Sequence, residues 1–282
     1  MRAPEPEWAV VVPVKGGPLA KSRLRLPRPS RAALADAFAR DTVAALAAGM
    51  PGAPVLVVSA DPGVAGWVTR AGHLPVPDPG GGLDAAVAAG VAAARGVGAG
   101  RAAVVLGDHP ALRPGEVRAA LGAAAAHTAC VVPDAEDDGT ALLTLPTTPP
   151  VRTAFGPGSA VAHERLGHTR LLLDLPGLRV DVDDAASLAS AVRIGLGAHT
   201  ARALAGATVH GVQASIHRIE DDGSGSALLD DGVEVVVPPG AAVASGLRHL
   251  RVGQRVSVEL DATGRAATRV WVVGIGPGED VR

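Results

Sequence analysis

The sequence predicts an α/β protein with a mainly parallel sheet, followed by a small all-β domain. Two observations carry this. Through about the first two hundred residues, short valine-rich runs ending in glycine, proline or aspartate alternate with alanine-rich, helix-favouring stretches. Continuous apolar strands alternating with helices indicate a sheet covered on both faces. From Val209 onward the alanine-rich stretches cease, and short alternating runs separated by glycine turns take over, the pattern of a small β domain.

In chain order, the runs Ala9–Val14, Pro54–Ser59, Ala102–Leu106, Cys130–Pro133, Ala141–Leu145 and Arg179–Val182 read as strands. The stretches Arg31–Ala48, Asp61–Arg70, Asp84–Ala94, Pro114–His127 and Ala185–Leu196 read as helices, and Gly197–Gly206 as a helix end and linker. The tail is expected to hold five strands, Gly211–Arg218, Ser226–Leu229, Val233–Val237, Arg255–Leu260 and Ala267–Val273. The expected division is an α/β domain over residues 1–206 and a β domain over 207–282.

At 282 residues the chain is long enough for one large and one small domain. A net charge of −2 argues against a general electrostatic grip on nucleic acid or membrane. Cys130 is the one cysteine, so no internal disulfide forms; it sits in the apolar run Thr128–Val132 and reads as a small core residue. A reduced, cytoplasmic setting is expected. The opening residues hold no apolar core of signal-peptide length, and no apolar stretch reaches the ~18 charge-free residues of a membrane span.

In such sheets ligands lie beyond the carboxyl ends of the strands, so polar residues there are the candidates for chemistry. The first strand runs into a glycine-bearing loop with Lys15, Lys21 and Arg23. Glycines let backbone N–H groups approach phosphate, and the cations neutralise it; the loop does not match the P-loop pattern. A second strand ends Leu106-Gly107-Asp108-His109-Pro110, placing a carboxylate where it would hold a divalent metal. His109 is expected to pack or hydrogen-bond, since Mg²⁺ prefers oxygen. In Arg179-Val180-Asp181-Val182-Asp183-Asp184, an extended strand would turn Asp181 and Asp183 to one face. Two such carboxylates repel unless a cation lies between them. Asp184 points away or begins the next helix. Between these segments lie the loop Asp134–Thr140 and the segment Phe155-Gly156-Pro157-Gly158-Ser159, whose small residues and helix start would offer N–H donors to a phosphate or carboxylate. Cations after one strand and acids after two others suit phosphoryl-group chemistry.

These segments, in this order, resemble the 2-phospho-L-lactate guanylyltransferase family, which includes the actinobacterial phosphoenolpyruvate guanylyltransferases. The matching runs are Val14-Lys15 with Ala20–Leu24, Gly107–Leu112, Asp138–Leu142, Phe155–Ser159 with His163, and Gly177–Asp183, within roughly residues 8–204. The resemblance implies the Rossmann-like nucleotide-diphospho-sugar transferase fold and an early step of coenzyme F-420 biosynthesis. In that step GTP and a phosphorylated three-carbon acid give a guanosine diphosphoryl acid and pyrophosphate. It further implies that Asp108, Asp181 and Asp183 bind Mg²⁺. Thr140, Gly156 and Ser159 would hold the acid, and Lys15, Lys21 and Arg23 would meet the triphosphate. Three positions depart from the family pattern: Asp84 stands where asparagine is usual, Glu136-Asp137-Asp138 where a further glycine is usual, and His109 where an apolar residue is usual.

The tail resembles a cold-shock-type OB fold in Asp230–Val237 and Gly246–Val256. Such domains bind single strands by stacking bases on aromatics. Here Gly223–Leu228 and Val235–Pro239 replace the aromatic strands, and Trp271 is the tail's one aromatic. A degenerate module for packing, self-association or docking a partner is therefore expected, not a nucleic-acid binder. The rival readings are a nucleotidyltransferase for another small phosphorylated acceptor, and an inactive α/β domain serving an RNA-associated tail.

Overall fold

A computed structural model describes residues 7–15, 28–205, 209–230, 232–241, 243, 249–261 and 263–272. It falls into two compact units, the larger centred on residues 31–201 and the smaller on residues 202–272.

The first unit opens with β1 (Trp8–Pro13) and α1 (Arg28–Gly49), then β2 (Val55–Ser59), α2 (Pro62–Arg70) and β3 (Leu74–Pro77). It continues through α3 (Leu83–Gly96), β4 (Arg101–Val104), α4 (Pro114–Ala124), β5 (Cys130–Pro133) and β6 (Thr140–Pro146). It closes with α5 (Ser159–Arg165), β7 (Thr169–Arg170), α6 (Pro176–Arg179), α7 (Ala185–Ile194) and the first residues of α8 (Ala198–Ala205). The strands form one sheet in the order β3-β2-β1-β4-β6-β5-β7.

All six residues of β1 are buried. Successive strand side chains point to opposite faces, and the core divides accordingly. Val10 and Val12 pack with Val43 and Leu46 of α1, Trp67 of α2 and Leu121 of α4. Ala9 and Val11 pack with Val87 and Val91 of α3. Burying one such valine contributes about 1.5–3 kcal/mol, so a strand buried on both faces anchors the whole sheet. Cys130 is buried in this core and free.

Three features differ from the expected elements. The sheet itself is mainly parallel, as expected: β3, β2, β1 and β4 run parallel and β7 pairs in parallel with β5, while β6 is antiparallel to both β4 and β5. The loop between β5 and β6 is too short for the crossover that a parallel pair requires, so the two form a hairpin. Two short strands, β3 and β7, had no periodic signal; β3 carries Pro75 and Pro77, which an edge strand tolerates. Arg179–Val182 is not a strand. Proline at the start of α6 favours a helical turn there, and Val182 spends its N–H on the Asp108 carbonyl (2.9 Å) instead of on a ladder. Finally, the stretch Gly197–Gly206, expected as a helix end and linker, is mostly the helix α8, in whose first turn the His199 and Thr200 N–H groups donate to the buried carboxylate of Asp41 at 3.0 and 2.7 Å.

The second unit holds the five expected tail strands: β8 (Val209–Ile219), β9 (Gly225–Leu229), β10 (Glu234–Val237), β11 (Arg255–Leu260) and β12 (Ala267–Val272). Their order is β10-β9-β8-β11-β12, antiparallel throughout. A parallel bridge between Val236 and Ala266 brings the two ends of this sheet together, so it curls. Ile216, Val235, Val237, Val256, Val258 and Val270 fill its interior. Among the described residues no helix is long and apolar enough to cross a membrane.

Candidate active site

The central strands β1 and β4 pair in parallel, so their carboxyl ends open on one edge. Lys15 stands exposed two residues past β1. Lys21 and Arg23 lie outside the described residues. The Gly107 N–H donates to the Pro13 carbonyl at 3.2 Å. A Cβ at Gly107 would sit 2.8 Å from Val14 Cγ2 and 3.4 Å from the Pro13 carbonyl oxygen. A side chain there would push the turn bearing Asp108 away from the strand bearing Lys15.

Asp108, Asp181 and Asp183 come together: one carboxylate oxygen of each lies within 4.8 Å of the others. Asp181 and Asp183 turn to one side, as the alternation expected of this segment requires, although no sheet ladder holds it. Val182, fully buried, anchors the segment through its bond to the Asp108 carbonyl, and the acids flank that anchor. Asp183 N–H donates to Ser187 Oγ at 3.0 Å, and Asp184 caps α7 by accepting the Ser187 N–H at 2.9 Å. Burial and the neighbouring Asp108 push the Asp181 carboxyl up to about 6; Asp183 adds to the rise, and the His109 ring opposes it. Three crowded carboxylates, one resisting ionisation, form a donor set fitted to a hard divalent cation.

His109 packs, as expected. Its ring is 1 % exposed, its main-chain N–H donates to Thr42 Oγ1 at 3.1 Å, and its Nε2 lies 3.7 Å from Asp108 Oδ1.

The loop after β5 is built around Asp134, whose carboxylate accepts the N–H groups of Glu136, Asp138 and Gly139 at 3.0, 3.1 and 2.8 Å. Asp137 has φ +62°, the left-handed region where the further glycine would be at ease. Its carboxylate pairs with Arg179 Nη2 at 2.6 Å and with Arg170 at 3.5 Å. Arg179 also donates to the Asp134 carbonyl at 2.6 Å, and its own carbonyl accepts the Ala135 N–H at 2.8 Å. This stitches the acidic loop to the segment that carries Asp181 and Asp183. Sequence reasoning missed Asp134 and Arg179; the run of three acids, Glu136-Asp137-Asp138, was the available signal for a charge-paired turn.

Thr140 and Ser159 meet directly, Oγ1 to Oγ at 2.9 Å, and both are buried. Behind them lies the fully buried His163, its Nδ1 3.0 Å from Thr140 Oγ1 and its Nε2 accepting the Ala154 N–H at 3.0 Å. Burial, and then the neighbouring His168, lower its pKa to about 4. Gly156 sits in the turn before α5, its carbonyl accepting the Ser159 N–H at 3.1 Å. The helix start is largely self-satisfied: Asp138 takes the Gly158 N–H on its carboxylate (2.9 Å) and the Ala160 N–H on its carbonyl (3.0 Å). The N–H groups of Gly158, Ser159 and Ala160 are thus taken up within the protein, and the Thr140 and Ser159 hydroxyls stand beside them. Asp84 Oδ1 accepts from Thr153 Oγ1 at 2.6 Å and from the Phe155 N–H at 3.1 Å, tying α3 to this segment.

No family model matches the sequence. The phosphoenolpyruvate guanylyltransferase of Salinispora arenicola is 49% identical over 199 residues, which cover 69% of this chain and 92% of that protein. The phosphoenolpyruvate guanylyltransferase of Geodermatophilus obscurus is 45% identical over 208 residues, covering 71% and 95%. Among solved structures, a protein from Desulfovibrio desulfuricans G20 described as a nucleotide-diphospho-sugar transferase superposes with a TM-score of 0.52 over 65% of this chain and 85% of its own, at 19% identity. That is a likeness of fold.

Proposed function

The chain belongs to the phosphoenolpyruvate guanylyltransferase family, and on that premise we propose that it condenses GTP with phosphoenolpyruvate. The products are a guanosine diphosphoryl acid and pyrophosphate, and the step serves coenzyme F-420 biosynthesis in the cytoplasm. 2-Phospho-L-lactate is the alternative acid. The observation that carries the reading is 49% identity across 92% of a relative of that name. The acidic cluster of Asp108, Asp181 and Asp183 supports it chemically.

In this reading Asp108, Asp181 and Asp183 hold Mg²⁺. The metal, when bound, neutralises and orients phosphate oxygens. Lys15, Lys21 and Arg23 draw charge from the triphosphate, while Thr140, Gly156 and Ser159 take the carboxylate and phosphate of the acid. A phosphate oxygen of the acid bonds to the α-phosphorus of GTP, the bond from that phosphorus to the α,β-bridging oxygen breaks, and pyrophosphate leaves. The attacking oxygen is already anionic near neutral pH, so the site needs no general base. Its work is alignment and charge neutralisation.

Residues 1–206 form the catalytic domain in this reading, and residues 207–282 a cold-shock-like OB module. The curled five-strand order and the parallel Val236–Ala266 bridge support an OB barrel. Without aromatic platforms the module serves packing, self-association or docking of a partner. A labelled single-stranded oligonucleotide is expected not to bind the full chain at micromolar concentration.

The test incubates the protein with Mg²⁺, GTP and, separately, phosphoenolpyruvate, 2-phospho-L-lactate or 3-phosphoglycerate. Pyrophosphate release is followed together with the mass of the product. Release with phosphoenolpyruvate and a guanosine diphosphoryl adduct is expected; no release with any acid from the folded protein would sink the reading.

A further inference from the structure

We propose that His163 is a positioning residue that sets the direction of a hydrogen-bond chain, making the Thr140–Ser159 hydroxyl pair a net donor to an anionic oxygen of the phosphorylated acid. This rests on the reading of Thr140 and Ser159 as acid-binding residues.

The direction follows from counting protons. The Ala154 N–H donates to His163 Nε2 at 3.0 Å, so Nε2 presents a lone pair. A buried ring whose pKa is lowered to about 4 is neutral near pH 7 and carries its single proton on Nδ1. That proton faces Thr140 Oγ1 at 3.0 Å. One gap remains, Thr140 Oγ1 to Ser159 Oγ at 2.9 Å, and two hydroxyl protons are available to fill it. One proton is therefore surplus and must go to an acceptor outside the chain. With the opposite tautomer, Thr140 would donate to Nδ1 and Ser159 to Thr140, and no proton would be left over. The pair would then present lone pairs, which repel an anion.

The surroundings hold this direction in place. Asp84 Oδ1 grips Thr153 Oγ1 and the Phe155 N–H on either side of Ala154, so the Ala154 N–H is aimed at the ring. Phe155 and His168 stand edge-on to the ring at centroid distances of 4.9 and 5.4 Å. Thr140 and Ser159 are 9 % and 2 % exposed, so water does little to satisfy the surplus proton, and an anionic acceptor gains accordingly.

The tautomer is read directly on the full-length protein labelled with ¹⁵N-histidine. Two-bond proton–nitrogen correlations are expected to show a protonated Nδ1 and a lone pair at Nε2. A protonated Nε2 overturns the proposal, and this measurement needs no variant. Function is read by comparing His163→Asn with His163→Asp. Both lose the ring and are alike in size; the amide offers an N–H to Thr140, and the carboxylate offers lone pairs alone. With both folded, as judged by circular dichroism, KM for the acid is expected to be at least about tenfold higher in the Asp variant, with KM for GTP the same in both. Equal KM values for the acid overturn the proposal. If no acid supports turnover in the unaltered protein, the functional reading fails while the tautomer is still measured. A reversed tautomer in an active enzyme sinks this inference alone.

Discussion

The main-chain N–H of Val182 donates to the carbonyl of Asp108 across 2.9 Å, and that bond brings two acids far along the chain to a third. Val182 is buried, so its flanking acids turn back towards Asp108. The cluster is thus built by a buried main-chain contact. Removing one carboxylate should leave the scaffold standing while it removes metal affinity.

Asp108→Asn is expected to abolish the rise in Tm on adding Mg²⁺ and to lower turnover by about a hundredfold or more. Without metal the variant should melt at or above the parent's Tm, because a like charge beside Asp181 has been removed. Differential scanning fluorimetry with and without Mg²⁺, alongside pyrophosphate release, checks both. Unchanged turnover would remove the metal assignment.

The Asp181 carboxyl, raised to about 6, gives the cluster a pH signature. A folded-state pKa above the unfolded one means that this group favours the metal-free fold most fully below the ordinary carboxylate range. That contribution is lost as pH rises through about 6. A cation competes with the proton, so the Mg²⁺-induced rise in Tm should be small at pH 5 and larger at pH 7.5. A shift of equal size at both would contradict the raised pKa.

Asp137 holds a left-handed backbone conformation while pairing with Arg179 and Arg170. Asp137→Ala and Asp137→Gly lose the same ion pairs, but alanine retains the Cβ that strains this region. The alanine variant should be less stable than the glycine variant by about 1 kcal/mol. Urea unfolding of the two measures the difference, and equal midpoints would show that the strain is absent.

Gly107→Ala places a Cβ against Val14 and should cost about 1–3 kcal/mol, as overpacking does. Turnover should fall as well, because the turn bearing Asp108 moves relative to Lys15. Val14→Ala frees the clashing methyl, so the double variant should recover part of the lost stability and turnover. A strictly additive double variant would point to another cause.

Much of this was written locally. Apolar runs, valine-rich in β1, β2 and β5 and alanine- or leucine-rich in β4 and β6, made these strands legible, because an apolar run of strand length reports its own burial. The five tail strands were legible for a similar reason, alternation with glycine turns. The polar residues after each strand could be named as candidates because open α/β sheets place their ligands there. The antiparallel β5–β6 hairpin was not read from the sequence, although the short loop between the two runs leaves no room for a crossover.

What tertiary structure alone decided was which of those residues meet, and how. Alternation set Asp181 and Asp183 on one side, where the structure has them, but in a segment that pairs with no strand. Their meeting with Asp108 goes with a hydrogen bond from Val182 to the Asp108 carbonyl, a contact between distant segments that no local period encodes. The stitching of the acidic loop by Arg179, and the proton direction from Ala154 through His163 to Thr140 and Ser159, are of the same kind. Hydrophobic pattern acts over a few neighbouring residues and so survives in sequence; a hydrogen-bond partner is set by distance in space, which the chain acquires only once its core has packed.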